Sequence, residues 1–187
     1  PERLRPFLNA LSTAEAGLIE VTAVDATLGE ALVAFASAGI QRGIAVLNPG
    51  EGGWIDEDQV NMLFKQAGLG SWRFEANDGI QLREALFDLM KEIEGDLLEN
   101  AQAPLVLPVE QHFNVKGIGL VANGYVQAGC VKVHDELKLL PANGSGTAKS
   151  LQVMDDDVEV AKAGDRVGLA LRNAKEDHLN GDTIIVH

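Results

Sequence analysis

PVEQHFNVKGIGLVANGYVQAGCVKVHDELKLLP, residues Pro108 to Pro141, is the most strongly patterned stretch of this chain. Apolar and polar residues alternate through Val109, Gln111, Phe113 and Val115, and again through Val131, Val133, Leu137 and Leu139. A period of two sends one row of side chains into a core and the other into water, so the stretch predicts half-buried strands. Gly117, Gly119, Gly124 and Gly129 interrupt it where the backbone must turn or approach a neighbour closely.

From residue 105 to His187 no long helical pattern occurs. Strands are expected over 105–115, 118–128, 130–140, 147–154, 166–173 and 182–186. Turn signals at Asn143-Gly144, Ala163-Gly164-Asp165 and Asn180-Gly181 separate them. The first half reads differently. Leu4, Phe7, Leu8 and Leu11 recur at helical spacing within 1–16. LIEVTAVD, GIAVLN and WRFEA are short β-rich runs. Helices are expected after each: one with Thr27 as N-cap and Gly39 as stop, one over Asp56–Ala67, and one over 80–95. In the last, Ile80, Leu82, Leu86, Leu89, Met90 and Ile93 form the stripe expected to be buried. Strands alternating with helices imply a parallel α/β layer. Residues 1–99 are therefore read as an α/β domain, 100–104 (NAQAP) as a linker, and 105–187 as an all-β, Greek-key-like barrel.

Composition narrows the function. Of 187 residues, 46% are hydrophobic and 23% charged, as in an ordinary globular protein. One cysteine, Cys130, excludes an internal disulfide framework and fits a reducing cytosol. No apolar run is long enough for a membrane helix and no signal peptide opens the chain, so the expected location is cytoplasmic, without membrane contact. Residues 1–100 carry 7 Lys and Arg against 17 Asp and Glu; the rest carries 8 against 11. A net charge of −13 repels phosphate backbones, so DNA is not an expected partner, whereas a local RNA contact on the less acidic half stays open.

With both halves laid out, the sequence resembles the translational GTPases of the elongation factor Tu type, above all the archaeal selenocysteine-specific elongation factor. Residues 107–141 are similar to the opening of that family's second domain, which reads V-E-x-x-F-x-[IV]-x-G-x-G-T-V and then a K-V-x-D strand. SLQVM (150–154), AGDRVGLALR (163–172) and NGDTIIV (180–186) resemble its later blocks. Leu120 replaces the usual Thr, and Asn180 the usual Arg. The first half then resembles the C-terminal part of the GTPase domain, a partial α/β domain of GTPase type. GIAVLNPGE matches the strand that ends in the guanine-reading N-K-x-D. Here that motif is degenerate, with Asn48, Pro49, Gly50 and Glu51 in its four positions; Asn48 and Glu51 are the candidates for nucleotide binding.

No G-x-x-x-x-G-K-[ST] loop and no D-x-x-G strand end occur. GSGTAKS (144–150) lacks the Gly before Lys and sits between barrel strands. Pro1 is not an initiating Met, so two explanations stand: preceding residues carry the phosphate loop, or the site has been lost. The degenerate motif favours loss. No cofactor is expected in this chain, with GTP and magnesium expected only if an intact GTPase domain lies upstream, and no catalytic residue is named.

The resemblance implies that the barrel holds the aminoacylated 3′ end of tRNA. The pocket would use Glu110, Val115, Val121, Gln152 and Arg166. The same residues also fit a plainer account, with Val115 and Val121 in the barrel core and Gln152 a solvated strand residue. Met154-Asp155-Asp156-Asp157 reads as a solvated turn, not a metal loop, and the four histidines show no zinc spacing. His134, beside Asp135 and Glu136, reads as hydrated on a surface strand. Cys130 reads as packing, and Trp54 and Trp72 as core edges. The expected partners are aminoacyl-tRNA or ribosome-associated RNA, or alternatively a basic protein docking on the acidic α/β half. A basic rim around Gln152 would favour RNA; a large exposed apolar patch on the α/β half would favour a protein.

Overall fold

The computed structural model describes residues 4–187, and the chain divides into two compact units, Pro1–Ile93 and Glu94–His187. In the first, helix α1 (Leu4–Thr13) precedes three alternations of strand and helix: β1 (Gly17–Val21), α2 (Ala26–Ser37), β2 (Gly43–Leu47), α3 (Glu57–Gln66), β3 (Arg73–Ala76) and α4 (Gly79–Asn100). The strands form a parallel sheet in the order β1-β2-β3. Its central strand, GIAVL, has no polar side chain because both its faces are covered. Ala45, Val21 and Ile19 face Leu28 and Leu32 of α2 and Val60 and Phe64 of α3. On the opposite face Ile44 and Val46 meet Leu89 of α4. Trp72 seals the first face, tilted against Phe35 and Phe64 at centroid distances of 4.9 and 5.6 Å.

Each helix that follows a strand begins on an aspartate. Asp25 accepts from the Leu28 N–H at 3.0 Å, Asp56 from Gln59 at 3.2 Å, and Asp78 from both Ile80 and Gln81 at 3.0 and 2.9 Å. These carboxylates satisfy backbone donors that have no partner inside the helix. Asp25, not Thr27, is thus the cap of α2. The stripe expected on α4 is narrower than its sequence suggests. Leu82, Leu86, Leu89 and Ile93 pack inward, but Ile80 and Met90 are 74% and 60% exposed. Ile80 lies in the first turn, and Met90 follows Leu89 by about 100° around the helix, which turns it off the contact face. Of α1, Leu11 packs on the core while Phe7 and Leu8 are exposed; the side chain of Leu4 lies outside the described residues.

The second unit contains β4 (Leu107–Val115), β5 (Gly119–Tyr125), β6 (Cys130–Lys132), β7 (Glu136–Leu140), β8 (Gly144–Val153), β9 (Asp156–Val158), β10 (Val160–Lys162), β11 (Arg166–Arg172) and β12 (Ile184–Val186). Six of them close an antiparallel barrel. Hairpins β4–β5 and β7–β8 are joined on one side by β11, which pairs with both β5 and β8, and on the other by β12, which pairs with both β4 and β7. Alternate residues point inward, including Leu107, Val109, Leu120, Ala122, Leu137, Leu139, Leu151, Val167, Leu169 and Ile185.

The expected strand 130–140 is broken in two. His134 adopts φ 77° in a turn between β6 and β7, where its N–H donates to the Ala148 carbonyl. It is therefore a turn residue, not a strand residue. Strands β9 and β10 lie outside the strands expected from the sequence. Met154 and Asp155, at φ 52° and 68°, form the two-residue turn of the β8–β9 hairpin. The turn read from MDDD is thus present, and GSGTAKS lies within β8. The boundary expected at residue 99 and the linker at 100–104 meet a helix that continues through Asn100, with the division between units at Ile93/Glu94. No helix among the described residues is long and apolar enough to cross a membrane.

Phe64 is fully buried and touches both Trp72 and Phe74. Phe64→Ala is expected to destabilise the first unit by about 3–5 kcal/mol, measured by urea denaturation followed through Trp72 fluorescence.

Candidate functional site: a cleft on the outer face of the barrel

A cleft of about 840 Å³ crosses the outside of the barrel over β4, β5, β11, β8 and β9. Strand register explains its composition. On one rung Gln111, Asn123, Gly168, Gln152 and Asp157 stand side by side on the outer face; on the next stand Phe113, Val121, Ala170 and Ser150. The residues at the middle of the two rungs, Gly168 and Ala170, are small, so the outer surface dips between taller neighbours. A Cβ built at Gly168 would lie 3.3 Å from Asn123 Oδ1 and 3.9 Å from the Gln152 Cβ. The absence of a side chain there makes the floor.

The floor and one wall are apolar, formed by Phe113, Val115, Val121 and Ala170. The other wall is polar, with Ser150, Gln152 and Asp157. Gln152 Nε2 donates to Asp157 Oδ1 at 2.9 Å, which fixes its amide and leaves its carbonyl oxygen available as an acceptor.

Two β-bulges shape the ends. Glu110 is the extra residue of β4 and Lys149 that of β8. A bulge re-aims the side chain it carries. Glu110 accepts from Arg166 Nη2 at 2.9 Å and from its Nε at 3.3 Å, and Lys149 Nζ donates to the Ile118 carbonyl at 2.6 Å.

Four of the five residues selected from the sequence, Val115, Val121, Gln152 and Arg166, therefore line one cleft, and the fifth, Glu110, is held to it through Arg166. Val121 is on the outer face and not part of the barrel core. The sequence reading missed Phe113, Asn123, Lys149, Ser150, Asp157 and Gly168. Phe113 and Ser150 follow from the register once the strands are paired; Lys149 depends on a bulge that has no compositional mark. The rim is not basic. Asp155, Asp157 and Glu159 stand near Gln152, against Lys149 and the already paired Arg166.

The two residues of the degenerate guanine motif sit in the first unit. Asn48 follows β2, with its N–H on the Val21 carbonyl and its side-chain amide donating to Glu20 Oε1. Glu51 is exposed in the next loop. Trp72 is core at 4% exposure, but Trp54 is 81% exposed and is not the core edge its hydrophobicity suggested. Among the described residues no group of three or more His, Cys, Asp or Glu is placed to hold a metal ion.

Residues 119–185 fit the family model of elongation factor Tu domain 2. The uncharacterized protein MJ0325 of Methanocaldococcus jannaschii is 30% identical over 185 residues, which is 99% of this chain and 57% of that protein. The selenocysteine-specific elongation factor of the same organism is 36% identical over 101 residues, 51% of this chain and 22% of its own length. Translation elongation factor SelB from Methanococcus maripaludis, solved with the GTP analogue GppNHp, superposes with a TM-score of 0.69 at 25% identity, covering 99% of this chain and 44% of that one. Residues 119–185 of the barrel are thus similar to domain 2 of elongation factor Tu, and the chain is homologous to the selenocysteine-specific elongation factor. The chain spans 57% of the length of MJ0325 and 22% of that of the selenocysteine-specific elongation factor.

The Glu110–Arg166 pair is roughly half exposed on both sides. Its contribution to stability is expected to be no more than about 1 kcal/mol. Glu110→Gln should leave the thermal midpoint within a few degrees of wild type, measured by scanning calorimetry.

Proposed function

We propose that this chain is an elongation-factor-like protein of the cytoplasm whose barrel cleft receives the aminoacylated 3′ end of tRNA, and that it does not bind or hydrolyse GTP by itself. One observation carries the reading: side chains chosen from the sequence as an RNA pocket converge on a single cleft with an apolar floor and one polar wall. Single-stranded RNA ends are held in this way, a base lying on an apolar surface while edge atoms meet amides and hydroxyls. Phe113 and Val121 offer the surface, and Asn123, Ser150 and the Gln152 carbonyl offer the edge.

The acidic rim refines the proposal. Only Lys149 and Arg166 among the cleft residues are cationic, so the contact is with base, ribose and aminoacyl group more than with phosphates. The loss of GTP chemistry is supported by the missing phosphate loop and by the Asn48 amide being engaged by Glu20. The N-termini of α2, α3 and α4, the helices that follow strands and where a phosphate would bind, each already hold an aspartate.

The test is a binding comparison between aminoacylated and deacylated tRNA. Preference for the charged form is expected, with a loss of at least about tenfold in Gly168→Val, which fills the floor with a residue suited to strands. Two phosphate contacts at most imply a salt slope no steeper than about −1.4. Equal binding of both tRNAs, or a Gly168→Val variant that binds as wild type does, overturns the reading.

A second expectation concerns nucleotide. Titration with a fluorescent GTP analogue and magnesium should give no saturable signal at micromolar concentrations. Saturable binding would place a working nucleotide site in this chain.

A further inference from the structure

The carboxyl edge of the parallel sheet carries an exposed apolar surface outside the barrel cleft. Three loops leave this edge: residues 22–25 after β1, 48–56 after β2, and 77–78 after β3. Because the strands are parallel and neighbouring strands lie about 4.8 Å apart, the three loops are adjacent, with the β2 loop in the middle. That middle loop presents Trp54, which is 81% exposed; the loop after β1 presents Val24, and the first turn of α4 presents Ile80. Tryptophan is seldom left in water, and where it is exposed it commonly anchors a protein contact.

The Trp54 loop has a defined backbone. The Gly53 N–H donates to the Gly50 carbonyl at 3.3 Å, and a Cβ at Gly53 would fall 2.1 Å from the Pro49 carbonyl oxygen, so only glycine fits before the tryptophan. The indole is thus carried outward by a turn whose shape the sequence fixes.

The charge around it has one sign. Residues 22–27, 48–58 and 77–80 contain Asp25, Glu51, Asp56, Glu57, Asp58 and Asp78 and no Lys or Arg. The next cation along the chain, Arg83, lies over the Phe87 ring at 5.4 Å to its centroid. Asp25, Asp56 and Asp78 are used as helix caps, while Glu51, Glu57 and Asp58 are exposed.

We propose that this edge is a docking surface for an arginine-rich polypeptide segment, with a guanidinium stacked on Trp54 and its neighbours paired to Glu51, Glu57 and Asp58. A guanidinium is the cation that stacks on an indole face and also forks onto carboxylates. The surface is built from the first unit alone and does not depend on the tRNA reading.

The probe is a short peptide of alternating Arg and Gly, with a Glu-Gly peptide of equal length as control, titrated into the full chain. Trp54 emission is followed by iodide quenching; Trp72 is buried and insensitive. The Arg-Gly peptide is expected to shield Trp54, and the Glu-Gly peptide is not. By isothermal titration calorimetry, Trp54→Ala should weaken binding about tenfold, and Glu51→Gln with Glu57→Gln should weaken it further while the melting temperature stays unchanged. Affinity within twofold of wild type in Trp54→Ala overturns the proposal. So does shielding of Trp54 by a uridine oligonucleotide but not by the peptide, which would make the surface an RNA contact.

Discussion

Strand β11 holds the second unit together, because it is hydrogen-bonded on both edges. Its pairings with β5 and β8 turn what would be an open sheet into a ring. Closure pairs the strand on both sides from Val167 to Leu171 and removes two exposed edges. The inward residues of β11, Val167, Leu169 and Leu171, are large and fill the core. Its outward residues, Gly168 and Ala170, are small and leave the cleft. One strand thus serves stability with one face and recognition with the other.

This division explains how much of the molecule is legible in its sequence. A period of two is a strong signal wherever one side of a strand is buried, and it marks β4, β5, β8 and β11. Pairing these strands places Val121 opposite both Phe113 and Ala170, from which the cleft floor follows. The pattern fails where the backbone departs from regular pleating without a glycine to announce it. His134, at φ 77°, divides a continuous-looking strand. The bulges at Glu110 and Lys149 shift the alternation by one residue, and neither residue type signals it.

Surface apolar residues are hidden from sequence for a different reason. Met90 and Leu89 are both hydrophobic neighbours in sequence, but only Leu89 faces the sheet. Trp54 is the sharper case. Its apolar character argues for a core position, while the turn at Pro49–Gly53 carries it into solvent. The decisive quantity is a contact distance between Gly53 and the Pro49 carbonyl, which no local composition expresses. The helix caps lie between these extremes: aspartates before α3 and α4 are readable, whereas Asp25 and Thr27 compete for α2 and only the hydrogen bond decides.

The barrel's first and last strands are themselves partners. Leu107 at the start of β4 stands opposite Ile185 in β12, so the chain enters and leaves the ring one residue pair apart. A ring with adjacent ends behaves as a cassette. It can be spliced into a longer polypeptide, or joined to a different neighbour, without breaking any strand pairing inside it.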